Sequence, residues 1–127
     1  MLKLFERYND LTYIKDKILS KAVESENKDI VDFLLNKGYK ITQDTIVEAS
    51  YSDLFKHILS RINLENYMSD DEPWLRMLKD VDNQKILIDM GYESLLFSSV
   101  GFNHRLENDP KYKDIIDNMK NVDKYNL

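Results

Sequence analysis

The chain has 127 residues, a net charge of −5, no cysteine, three glycines and two prolines. Without cysteine there are no disulfides, no thiolate nucleophile and no cysteine-bearing zinc site, and the acidic balance argues against a surface built to hold phosphates. So few turn residues, beside 43% hydrophobic and 32% charged side chains, exclude a hairpin-rich β fold and a disordered chain and point to one all-α domain over 1–127.

Ile14, Ile18, Leu19 and Ala22 recur at helical spacing, so 11–25 reads as an amphipathic helix with Asp10 or Thr12 as its cap. Asn27 precedes a second helix carrying Ile30, Val31, Phe33, Leu34 and Leu35. Gly38 ends it, because glycine takes the left-handed position after a helix with little strain. Thr42 has the chemistry of an N-cap for 44–50, and Ser52 that of a cap for 53–61. A short helix or loop is expected over 63–69. Asp70-Asp71-Glu72-Pro73 then signals a helix start, since acids favour the positive end and proline fits the first turn. Trp74, Leu75, Leu78 and Val81 form its apolar stripe. Asp82 is the expected cap of 83–90, which Gly91 ends. A further helix covers 93–100 and stops at Gly101, the stretch around His104 is a polar loop, and Asp109-Pro110 opens the last helix to about Val122, with 123–127 as a frayed tail. Only Ile41 and the 101–102 region leave room for a short extended piece.

No apolar run approaches the roughly 20 residues needed to span a bilayer. The start Met-Leu-Lys-Leu-Phe-Glu-Arg lacks the long apolar stretch of a secretory leader. The expectation is a cytoplasmic protein without a membrane partner.

Two helix ends repeat. Leu35-Asn36-Lys37-Gly38-Tyr39 and Ile88-Asp89-Met90-Gly91-Tyr92 both run from an aliphatic residue into Gly-Tyr. A middle unit fits between them: Ile46-Val47-Glu48-Ala49 follows Leu19-Ser20-Lys21-Ala22, and Asp53-Leu54-Phe55-Lys56-His57-Ile58-Leu59 follows Asp29-Ile30-Val31-Asp32-Phe33-Leu34-Leu35. Small residues at Ala22 and Ala49 allow the two helices of a pair to approach closely. On these residues the chain resembles the ankyrin-repeat family, with Ala22-Val23-Glu24-Ser25 like the end of an inner helix and 27–38 like an outer helix with its glycine. No Thr-Pro-Leu-His opens a repeat, and Gly38 to Ile46 is too short for a β-hairpin finger. The resemblance implies helical hairpins stacked as a short ankyrin-like α-solenoid, with repeats at about 11–41, 42–63 and 72–92 and C-terminal helices over 93–122. Tyr39 and Tyr92, after equivalent glycines, are then expected between repeats.

Charge is unevenly placed. Residues 63–84 hold six acids against Arg76 and Lys79, and so account for −4 of the net −5. Asp70, Asp71 and Glu72 read in three ways: a capped, solvated helix start, an acidic patch for a partner, or a hard-cation site that lacks the spacing of a calcium loop. Trp74 reads either as a core residue or as a partly exposed anchor beside Tyr67 and Met68, because tryptophan and tyrosine offer large amphipathic area to an interface. His57 stands where Phe33 stands in the first repeat and is expected as a partly buried packing residue. His104 has no base-orienting partner at a telling spacing. No phosphate loop, nucleophile elbow or zinc-protease run exists in the sequence.

The expected function is protein binding. An extended helical stack suits recognition of another protein, and a small acidic chain suits an inhibitor that occludes a basic surface, such as a nuclease cleft or a host-defence complex. Tyr67, Asp70, Asp71, Glu72 and Trp74 are the candidate partner-binding residues, with no catalytic residue, metal, cofactor or direct nucleic-acid contact. The bias toward Lys, Asn, Ile and Asp fits an A+T-rich genome, which points to a phage or viral anti-defence protein or an immunity-type antagonist. The alternative is a self-assembling protein in which Leu2, Leu4 and Phe5 pair two copies as a homodimer. An enzyme is the least favoured reading, and a concave pocket with His57 or His104 near an acid would revive it.

Overall fold

The structure is a computed structural model that describes residues 14, 15 and 17–125, with side-chain burial described as far as residue 121. The expected cap at Asp10 or Thr12 and the pairing surface of Leu2, Leu4 and Phe5 lie outside the described residues. Every regular element among the described residues is helical, and neither Ile41 nor 101–102 forms a strand. The chain divides into two compact units, one ending at Met68 and one beginning at Ser69.

The first unit runs from α1, over 17–24, through α2 (Lys28–Asn36), α3 (Gln43–Ala49) and α4 (Phe55–Leu59) to a 3-10 turn at Leu64–Tyr67. Leu19, Ala22 and Val23 of α1 are buried, as are Val31 and Leu34 of α2. Phe55 and Ile58 of α4, which the sequence comparison pairs with Val31 and Leu34, are buried too. Helices α3 and α4 pack on each other, and Ala49 is fully buried, as a close pair requires.

Local chemistry accounts for the boundaries. The Asn27 side chain accepts from the Ile30 amide. Thr42 and Thr45 exchange side-chain bonds with each other's amides in a capping box. Helix α4 begins two residues later than expected, after a turn over 51–54. Leu54 donates to Ser52 Oγ at 3.1 Å, and Asp53 donates to Glu26 Oε1 at 2.9 Å. Glu26 itself is left-handed at φ 58°, in the place after α1 that glycine holds after α2.

The second unit holds α5 (Glu72–Lys79), α6 (Val81–Asp89), α7 (Glu93–Ser99), α8 (His104–Glu107) and α9 (Pro110–Tyr125). Asp80, not Asp82, caps α6 by accepting from the Asn83 amide at 3.0 Å, so α5 and α6 share one break residue. The polar loop expected around His104 is one helical turn, started when Asn103 accepts from the Arg105 amide. Helix α6 is the hub, packing against α5, α7 and α8, while α8 packs on α9.

The two Gly-Tyr ends are the same motif. Gly38 donates to Leu35 O and Tyr39 to Leu34 O, both at 3.1 Å, while Gly91 donates to Ile88 O at 3.0 Å and Tyr92 to Leu87 O at 2.8 Å. This is the double bond of a Schellman end, and both glycines are left-handed, at φ 95° and 92°. The fold is therefore all-α, built from sequentially packed helix pairs.

Candidate functional site

The first unit carries an open groove of about 360 Å³, between the turn that ends α2 and the residues that follow α4. Leu35, Ile41 and Ile62 give it an aliphatic wall, and Asn36, Tyr39, Lys40, Arg61 and Tyr67 give it polar ones. Helix ends position these side chains. The Schellman turn places Tyr39 and Lys40 just past α2, and Gln43 Nε2 donates to the Tyr67 carbonyl, holding the 3-10 turn against the start of α3. Among the described residues two cations and no carboxylate line the groove, in a chain whose net charge is −5.

At Arg61 the groove meets a charged cluster. His57 Nε2 lies 2.6 Å from Asp32 Oδ1, and Arg61 Nη2 donates to the same oxygen at 3.3 Å. The His57 hydrogen bond, and behind it the charges of His57, Arg61 and Lys28, outweigh desolvation and hold the Asp32 carboxyl below its usual value. Sequence reading missed this cluster. Asp32 and His57 are 25 residues apart, one more than the offset of 24 between the matched segments 29–35 and 53–59, and that offset was the signal that could have found them. His57 does have an acid partner. It is not among the groove-lining residues, and no side-chain hydroxyl bonds its ring among the described residues.

The five residues expected to form one binding surface are placed differently from one another. Tyr67 belongs to the first unit and lines its groove, half-buried. Asp70, Asp71 and Glu72 are exposed at the start of the second unit. Asp71 stands at the N-cap of α5, yet its carboxylate makes no cap bond. Glu72 meets Arg76 at 3.6 Å in a pair that both partners expose to solvent, a contact of little energetic weight. Trp74 is only 2% exposed, so it is a core residue and not the surface anchor that was its other reading. Its place in the stripe Trp74–Met77–Leu78 buries it, and its Nε1 finds no acceptor among the described residues.

The second unit has an open groove of about 300 Å³ that includes Lys79, Phe102 and His104. Its floor is structural. Gln84 is 1% exposed and spends its whole amide on the backbone, donating to Leu78 O at 2.9 Å and Gly101 O at 3.0 Å and accepting from the Asn103 amide at 2.7 Å. No group of three or more acidic or histidine side chains among the described residues is arranged to hold a metal ion. None of the described helices is long and apolar enough to cross a membrane. No protein-family model, curated protein or solved structure matches this chain.

Proposed function

We propose that this chain is a protein-binding module, an inhibitor that occludes a basic surface of its partner through Asp70, Asp71 and Glu72. One observation carries the reading: these three adjacent carboxylates are exposed, and the capping role that would explain Asp71 is not taken up. Charge held outward at the start of a unit costs little in water and is available to a cationic partner, where it speeds association and sharpens selectivity. Both grooves are open, which suits a polypeptide surface better than an enclosed substrate. We read the helix pairs as divergent ankyrin-like repeats without fingers. The matched Schellman ends at Gly38 and Gly91 and the shared core register of α2 and α4 support that reading. A viral or phage source, with an anti-defence or immunity-type role, rests on composition alone.

The test is affinity capture from the source cell with the wild type and with the triple variant Asp70→Lys, Asp71→Lys, Glu72→Lys. Capture of the wild type's partner should fall at least tenfold with the variant, and wild-type capture should weaken with salt. A partner held with unchanged affinity and unchanged salt dependence would show that the acidic segment is not the binding surface. Trp74 is left intact, because truncating a buried tryptophan would unfold the second unit and confuse the outcome.

Self-association remains a second reading, favoured by Ile30 and Phe33, which are 47% and 59% exposed on one face of α2. Sedimentation decides it, since a strictly monomeric chain at high concentration removes it.

A further inference from the structure

The groove of the first unit has a chemistry opposite to that of the acidic segment. Lys40 and Arg61 line it without any lining carboxylate, and Lys40 has no ion-pair partner among the described residues. Arg61 gives one Nη2 to Asp32, which leaves most of its five donors unspent and fixes the orientation of its fork. Beside these cations lie two tyrosines and an aliphatic wall. Tyr67 is held in place through its own carbonyl by Gln43, so one wall is ordered before anything binds.

We infer that this groove docks an acidic peptide segment of a protein partner, with a carboxylate at Lys40 and Arg61 and an adjacent aromatic or aliphatic side chain between Tyr39, Tyr67 and the aliphatic wall. Charge complementarity selects this occupant. A basic segment would meet two cations, with only the Asp32 carboxylate, already bonded to His57 and Arg61, as counter-charge beside them, and a purely apolar one would desolvate both cations without replacing their water. The width of the groove suits one or two side chains rather than a whole helix, since about 360 Å³ lies at the small end of ligand sites. The inference rests on the protein-binding reading but uses different residues.

The experiment titrates the full chain with the fluorescein-labelled hexapeptide DFEDFE and follows anisotropy, with KFKKFK and DDEDDE as companions. DFEDFE should bind saturably, KFKKFK should not, and DDEDDE should bind several-fold more weakly because it leaves the aliphatic wall empty. Lys40→Ala should weaken DFEDFE about tenfold, the effect of losing one charge-assisted contact. Tyr67→Ala should weaken it by a smaller factor, and Lys113→Ala, on the exposed side of α9, should leave it unchanged. Arg61→Gln also cuts the tie to Asp32, so Lys40→Ala is the deciding variant, with its fold checked by circular dichroism. Absence of saturable binding, equal binding of KFKKFK or DDEDDE, or indifference to both Lys40→Ala and Tyr67→Ala overturns the inference. The capture experiment with the charge-reversed acidic segment reports on the proposed function separately, so either idea can fail alone.

Discussion

Single residues in this protein do work that their neighbours in sequence do not reveal. Counting back from the matched glycines, Gln84 stands where Val31 stands in the first repeat, and both are buried. An aliphatic core position has become an amide that binds α5, the turn at Gly101 and the cap residue Asn103. Gln84→Met keeps the volume and removes all three bonds, leaving two carbonyls and an amide short of partners. We expect a loss of about 2–3 kcal/mol, on the scale of buried polar groups left unsatisfied. Urea unfolding checks it, and a midpoint within error of the wild type would show that the network carries no stability. Glu26 is a second such residue. It accepts the cost of a left-handed backbone, about 1–2 kcal/mol for a side chain with a Cβ, while its carboxylate holds the Asp53 amide just before α4.

At the scale of elements, Asp32 ties α2 to His57 of α4 and to Arg61 just after it. The sign of the pH effect follows from Asp32. Its folded value lies below the ordinary 3.8, so the contribution of its carboxylate is complete above that pH and is lost as pH falls through the folded value. Wild-type stability should therefore drop below about pH 4 more steeply than that of Asp32→Asn. The two curves should draw together at the acid end. Parallel acid-unfolding curves would mean that the cluster adds nothing to the folded state. These side chains are only partly buried, which keeps the effect modest. The helix ends themselves depend on backbone and not on room. A Cβ at Gly38 or Gly91 would meet nothing within 4 Å, so the requirement for glycine there comes from φ.

For the whole molecule, the division into two units falls at Met68 and Ser69, inside the stretch where the repeat pattern breaks and most of the net charge collects. Residues 68–71 are outside any helix, and Asp70 and Asp71 are exposed. A protease that cuts before aspartate should make its first cut within 14–125 at Asp70 or Asp71 and leave two fragments. First cuts inside α2 or α6 would place the weakest backbone elsewhere.

Helix identity was legible without coordinates, because it depends on local chemistry: apolar spacing, Asn27 and Thr42 as caps, Pro73 and Pro110 in first turns, and glycine after α2, α6 and α7. The same local reasoning misplaced the start of α6, where Asp80 and Asp82 have equal capping propensity, and missed α8, a single turn too short to show a helical apolar period. Of the candidate site, the exposure of Asp70–Glu72 followed from charge alone, since adjacent carboxylates stay in water. Trp74 could not be resolved that way, because an amphipathic side chain serves a core or an interface equally well. Packing put it inside. The Asp32–His57–Arg61 cluster and the basic groove belong to tertiary structure entirely, for they join residues a whole repeat apart whose meeting no local preference encodes.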